Sequence, residues 1–96
     1  MPSPEEVRRR RDEIDRLDAD LVRILNQRAS LALDLARLKH GLGWEIRDAE
    51  RERQVVSRAI GSNSGPFDHV GIRRIFRRII CESRRMEREL REDGRP

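Results

Sequence analysis

Residues 7–39 read VRRRRDEIDRLDADLVRILNQRASLALDLARLK, and this stretch decides the fold. Its apolar side chains recur in a heptad pattern, which is typical of a long α-helix that buries one stripe against another helix. The stripe is formed by Val7, Ile14, Leu17, Leu21, Ile24, Leu31, Leu35 and Leu38. In its central part, only position 28 interrupts the pattern, because it is an arginine.

Arg28 occupies a position where a hydrophobic residue is expected. A guanidinium in a buried stripe carries a large desolvation cost unless an anion meets it. Either a carboxylate elsewhere in the protein pairs with Arg28, which is the commoner case, or a ligand supplies the anion. The polar residues on the other predicted helices, described below, favour the ligand.

The first helix is too long for a compact monomer of this size. Ser3 reads as its N-cap and Pro4 as its first residue, and nothing breaks the pattern before about Lys39. Such a helix would extend roughly 50 Å at about 1.5 Å per residue. A compact chain of this length has a diameter of roughly 32 Å. The sequence therefore predicts a dimer in which two long helices lie along each other.

Two shorter helices are predicted after the Gly-Leu-Gly stretch at 41–43. The second runs from about Ile46 to Ile60 and is followed by a loop rich in Gly, Ser and Asn. Asp68 can cap the third helix, and residues 92–96 are expected to fray. With no strand signal, the chain is predicted to be all-α, a single domain over 1–96 with an ordered core of about 4–91.

Composition excludes several classes of protein and site. No apolar run approaches the roughly 18 residues of a membrane span, and we expect neither a signal peptide nor a membrane partner. The single Cys81 cannot form an internal disulfide, which suits a reducing cytoplasm. Because His40 and His69 are isolated from each other and from Cys81, no metal site is expected.

The excess of basic over acidic residues makes nucleic acid a partner to consider. The formal net charge is +4, yet charges of both signs alternate along most of the sequence, and aromatic residues make up only 3%. There is little to stack on bases, and no nucleic-acid partner is expected. A non-catalytic basic helical dimerisation or DNA-binding module is the alternative from another class, and it leaves Arg28 and Ser83 unexplained.

Polar residues share a face on each predicted helix. The pairs are Arg28 with Lys39, Asp48 with Glu52, and Ser83 with Glu87. Each pair alone is weak evidence, since an acid pair usually faces solvent and a Ser in an apolar stripe usually bonds its own backbone. A polar cavity between the helices accounts for all three pairs at once.

This constellation resembles the all-helical chorismate mutase family over roughly Val7–Leu90. The resemblance is carried by Arg11, Ile14, Leu17-Asp18, Gln27-Arg28, Lys39, the run Arg47-Asp48-Ala49-Glu50-Arg51-Glu52-Arg53, and Ile79-Ile80-Cys81-Glu82-Ser83. It implies an intertwined homodimeric helical bundle with two active sites, three helices per chain and a long first helix. It also implies the unimolecular rearrangement of chorismate to prephenate, which requires no cofactor or metal.

The resemblance implies cationic contacts to the two carboxylates of this small-molecule substrate. Arg28 and Arg11 of the other subunit would clamp the carboxylates, and Ser83 would assist. Arg51 would lie at the rim of the site. Lys39 would reach the ether oxygen and a carboxylate, where a compact ammonium meets the charge that develops as the ether bond breaks.

The same resemblance assigns hydrogen bonds at the ring hydroxyl and the ether oxygen. Asp48 and Glu52 would receive the ring hydroxyl. The position of Glu87 is often Gln in the family, donating to the ether oxygen, so a Glu there must carry a proton during turnover. The alternative is that Glu87 pairs with Arg84 or Arg91 at the surface, which leaves Lys39 alone at the ether oxygen.

Two related chemistries stay open at this point. An isochorismate-pyruvate lyase resembles the same family but generally lacks the full Arg-Asp-x-x-Arg-Glu run. A mutase acting on 4-amino-4-deoxychorismate is also possible, since two carboxylates receive an ammonium as readily as a hydroxyl. The sequence also leaves open whether the chain docks on another shikimate-pathway enzyme.

Overall fold

The computed structural model describes the backbone of residues 1–93 and the side chains of residues 1–90. Within this range the chain forms three α-helices and no strand: α1 (Pro4–Gly41), α2 (Ala49–Gly61) and α3 (His69–Asp93). The predicted all-α class, the number of helices and the long first helix are confirmed. The fraying predicted for 92–96 falls in part on residues 94–96, which lie outside the described residues.

Helix α1 is 38 residues long and has defined signals at both ends. The Ser3 hydroxyl accepts from the Glu6 backbone N–H at 3.2 Å, which confirms Ser3 as the N-cap. At the other end, Gly43 N–H donates to the His40 carbonyl and Trp44 N–H to the Lys39 carbonyl. This pairing is a Schellman motif, and it requires the positive φ of 74° that Gly43 adopts.

Helix α2 begins at Ala49, so the predicted start at about Ile46 is wrong. The reason is a side-chain cap: Asp48 Oδ1 accepts from the Arg51 backbone N–H at 3.0 Å. Asp48 has extended backbone angles, φ −132° and ψ 96°, and therefore lies before the helix rather than within it. The apolar pattern indicates the helix but does not locate this cap.

Helix α3 begins at His69, directly after Asp68. Asp68 Oδ1 accepts from the Gly71 backbone N–H at 2.7 Å, and the Asp68 carbonyl accepts from Ile72 N–H. Asp68 is therefore the N-cap, as predicted. Within the described residues α3 packs against α2, and this is the contact between helices that organises the second half of the chain.

The chain divides into two compact units, Met1–Leu31 and Ala32–Pro96. The first consists of most of α1, and its apolar stripe is open to solvent, with Leu17 66% and Leu21 53% exposed. In the second, Ala36 and Ile80 are the only buried hydrophobic residues among those described. A single chain thus leaves much apolar surface uncovered, and surfaces of this kind mark sites of association.

Candidate active site

The predicted site residues are distributed over both units. Arg11 and Arg28 lie on α1 in the first unit, where Arg11 is exposed and Arg28 is partly buried. The second unit contains Lys39, Asp48, Arg51, Glu52, Ser83 and Glu87. Of these six, Asp48 and Arg51 are exposed in the single chain, and the rest are partly buried.

Lys39 is oriented by the turn that follows it. Its Nζ donates to the carbonyl of Ile46 at 3.0 Å, in a partly buried position. The Schellman motif at Gly43 and Trp44 ends α1, and the Ile46 carbonyl that follows it lies within reach of Lys39. An ammonium carries three donors, and the bond to Ile46 engages one of them. Lys39 is thus restrained while it keeps donors for a ligand.

Asp48 and Arg51 are joined by the cap of α2. The Asp48 carboxylate uses Oδ1 to accept from the Arg51 backbone, which leaves the Arg51 guanidinium out of this contact. Asp48 is the cap of α2 and not a residue within the helix, as the predicted start at about Ile46 implied. A carboxylate has about four acceptor positions, so capping does not exhaust the capacity of Asp48.

Glu52 forms the main ion pair between α2 and α3. Arg84 Nη2 donates to Glu52 Oε1 at 3.0 Å. Arg84 Nε lies 2.9 Å from Glu52 Oε2, an ion-pair distance without hydrogen-bond alignment. A third contact is longer, with Arg47 Nη2 3.7 Å from Glu52 Oε1. The Glu52 side chain is only 21% exposed, so it is partly shielded from water, and guanidinium groups approach both carboxylate oxygens.

A cavity of about 510 Å³ lies between α2 and α3. Its lining is apolar in part and otherwise rich in arginine: Arg47, Ala49, Glu52, Arg53, Val56, Ser57, Ile60, Arg77, Ile80 and Arg84. Among the predicted site residues, Glu52 is the one that lines this cavity. Glu52 is also the sole acidic group in a lining that contains four guanidinium groups.

Ser83 and Glu87 lie one turn apart on α3 and are both partly buried. This placement agrees with the shared face expected from their spacing. Arg84, one of the two alternative partners considered for Glu87, has its guanidinium against Glu52. The other alternative partner, Arg91, lies outside the residues whose side chains are described.

Sequence reasoning missed Arg84 and Arg47 as neighbours of Glu52. One signal was available for Arg84, because it follows the buried Ile80 by four residues and therefore shares its helical face. No comparable signal existed for Arg47, which lies before α2 in the connection from α1.

The next residue, Arg85, is in a different environment. It donates to Glu82 at 2.9 Å and to Glu89 at 2.8 Å, and all three residues belong to α3. The hydrogen bond from Arg85 and its positive charge lower the pKa of Glu82. These groups lie at the solvated surface, where such pairs contribute little to stability. Arg85 is thus a surface arginine of the same helix, bonded within α3, with which the Arg84 contact to α2 can be compared.

The described residues form neither a metal-binding cluster nor a membrane-spanning helix. No group of three or more His, Cys, Asp or Glu side chains is arranged to hold a metal ion. No described helix combines the length and the apolar character needed to cross a membrane.

Comparison with known proteins identifies relatives over most of the chain. A bifunctional chorismate mutase/prephenate dehydratase of Aquifex aeolicus is 32% identical over 91 residues, which cover 91% of this chain and 25% of that protein. The chain thus spans about a quarter of the bifunctional relatives it matches. A chorismate mutase of Methanocaldococcus jannaschii is 29% identical, with 86% of this chain and 85% of that protein covered.

Structural comparison gives the same result. A solved chorismate mutase (form II) from Thermus thermophilus superposes with a TM-score of 0.84 at 30% identity, covering 93% of this chain and 99% of that one. The sequence profile of the family described as chorismate mutase type II matches residues 10–88, a range that contains every predicted site residue. From its profile match and its fold, the chain belongs to the chorismate mutase type II family.

Proposed function

We propose that this protein is a chorismate mutase, an isomerase that rearranges chorismate to prephenate in aromatic amino-acid biosynthesis. The observation that carries the proposal is the family match over residues 10–88, which includes Arg11 at one end and Glu87 at the other. The presence of only one cysteine, Cys81, supports a cytoplasmic location.

The proposed reaction is unimolecular, so the protein must bind a compact conformer of the substrate and stabilise charge on the breaking ether bond. Lys39 is suited to the second task because its ammonium is partly buried and restrained by Ile46. We assign Lys39 to the ether oxygen, with Glu87 as a protonated second donor. Arg28 and Ser83 are assigned to the substrate carboxylates, and Arg51 is assigned to the rim of the site.

The ring hydroxyl is assigned to the two acidic residues of the α2 region. Asp48 and Glu52 are each held by a contact of their own, with the α2 backbone and with Arg84 respectively. Each carboxylate retains acceptor capacity for a hydroxyl donor. Both acids are thus oriented before substrate binds, which lowers the ordering cost of binding.

The proposal is tested by product analysis. The purified chain is incubated separately with chorismate, isochorismate and 4-amino-4-deoxychorismate, and the products are separated and identified. We expect prephenate from chorismate as the dominant conversion. Pyruvate release from isochorismate, without prephenate formation from chorismate, would establish lyase chemistry instead.

We also propose that the active form is an intertwined homodimer, because the apolar stripe of α1 is exposed in the single chain. Sedimentation at micromolar concentration is expected to give about twice the chain mass of 11.3 kDa. Leu21→Glu places a charge in the stripe and should shift the protein toward monomer. Ala19→Glu, at an exposed position off the stripe, is the matched control and should remain dimeric. A folded monomer in the parent protein would contradict the proposal.

Arg11 is proposed to serve the active site of the partner subunit. Arg11→Ala and Lys39→Ala are each expected to be inactive as homodimers. After subunit exchange, a mixed dimer contains one site built wholly from intact residues, so random mixing should restore about a quarter of the parent sites. Activity is measured with chorismate after exchange has been verified with differently tagged chains. No recovery would place Arg11 in its own subunit's site or outside the site.

A further inference from the structure

Arg84 and Glu52 make a two-point contact between α3 and α2. The guanidinium nitrogens Nε and Nη2 lie 2.9 and 3.0 Å from the two carboxylate oxygens. Arg84 is 36% exposed and Glu52 21% exposed, so the pair is screened less than the ion pairs on the outer face of α3. The positive charge of Arg84 therefore contributes to the electrostatic field that acts on a group approaching Glu52.

The surroundings of Glu52 add to this positive charge. Arg47 lies 3.7 Å from the same carboxylate, and Arg53 and Arg77 line the same cavity. Arg53 is paired with Glu50, whereas no acidic partner of Arg77 is found among the described residues. The charge of the Glu52 carboxylate is thus more than balanced by neighbouring guanidinium groups. A hydroxyl can still donate to this carboxylate, but a cation approaching it meets repulsion from Arg84 and Arg47.

We propose that Arg84 determines which ring substituent the site prefers at the position of the substrate that meets Glu52. By balancing the charge of Glu52, Arg84 makes the site accept a neutral hydroxyl and disfavour an ammonium group. The inference rests on the proposed function, in which Glu52 receives the ring hydroxyl. Arg84 is a specificity-determining residue that acts through Glu52 and need not touch the substrate.

The experiment compares kcat/KM for 4-amino-4-deoxychorismate and for chorismate in the same protein preparation. The ratio of the two values is the readout, because a loss of folded or dimeric protein lowers both values equally and leaves the ratio unchanged. In Arg84→Met we expect the ratio to rise about tenfold, since one positive charge near the ring substituent is removed. Arg84→Lys keeps the charge and is expected to stay within about twofold of the parent ratio.

Arg85→Met is the matched control, because Arg85 has the same side chain on the same helix but contacts only acids of α3. Its ratio is expected to equal that of the parent. If Arg84→Met does not fold, Arg84→Gln removes the charge while keeping a donor toward Glu52, and its ratio decides the question. If the parent protein is active on chorismate and the ratio is unchanged in the neutral Arg84 variants, the inference is wrong and the proposed function stands. A parent without activity on either compound contradicts the proposed function, and the inference with it.

Discussion

Lys39→Ala is expected to lower kcat/KM for chorismate by roughly 10³-fold, the largest single effect predicted for this protein. The ammonium is assigned to the ether oxygen, where negative charge develops as the bond breaks. A donor that acts on charge present mainly in the transition state affects kcat more than KM. The measurement is steady-state kinetics on protein whose helicity and dimeric state match those of the parent.

Arg37→Ala is the matched control for Lys39→Ala. Arg37 lies two residues earlier on α1, is 58% exposed and pairs with Asp34 at 3.1 Å, so its loss should leave activity close to the parent value. Arg28→Ala is expected to reduce activity to a similar extent as Lys39→Ala, with a larger share of the loss in KM, because Arg28 is assigned to a substrate carboxylate present throughout the reaction. Full activity in a folded Lys39→Ala protein would remove Lys39 from the mechanism.

Glu87→Ala is expected to be roughly 10²-fold less active, at every pH, than the parent protein with Glu87 protonated, because it lacks the second donor to the ether oxygen. In the parent protein only the protonated carboxylic acid donates, so activity should fall as rising pH removes the proton of Glu87. Glu87→Gln donates without titrating, and it should flatten this decline and retain or raise activity at neutral pH. The measurement is kcat/KM for chorismate as a function of pH in all three proteins.

Glu89→Gln provides the control for the pH series. Glu89 lies on α3 two residues after Glu87, and its carboxylate accepts from Arg85 at the exposed surface. Removing its charge should leave the pH profile of the parent unchanged. A Glu87→Ala protein with the parent's rate and pH profile would make Glu87 a surface residue and leave Lys39 alone at the ether oxygen.

The helices could be predicted because their signals are local. The heptad stripe of α1, the cap at Ser3 and the cap at Asp68 each involve residues within a turn or two of one another. The start of α2 could not be predicted, because the apolar pattern does not distinguish Ile46 from Ala49 as the first helical residue. That choice depends on the Asp48 side chain, which bonds the Arg51 backbone and ends the connecting segment.

The candidate site divides in the same way between local and long-range information. Sequence alone determined the long amphipathic first helix with Arg28 in its stripe, because spacing along a helix is enough to place residues on one face. It also contained the family motif that includes Lys39, Glu52 and Ser83. Only the tertiary structure decided that Arg84 pairs with Glu52, since the two residues are 32 positions apart and lie on different helices. Helical periodicity describes each helix by itself, whereas the pairing of charges depends on how α2 and α3 pack.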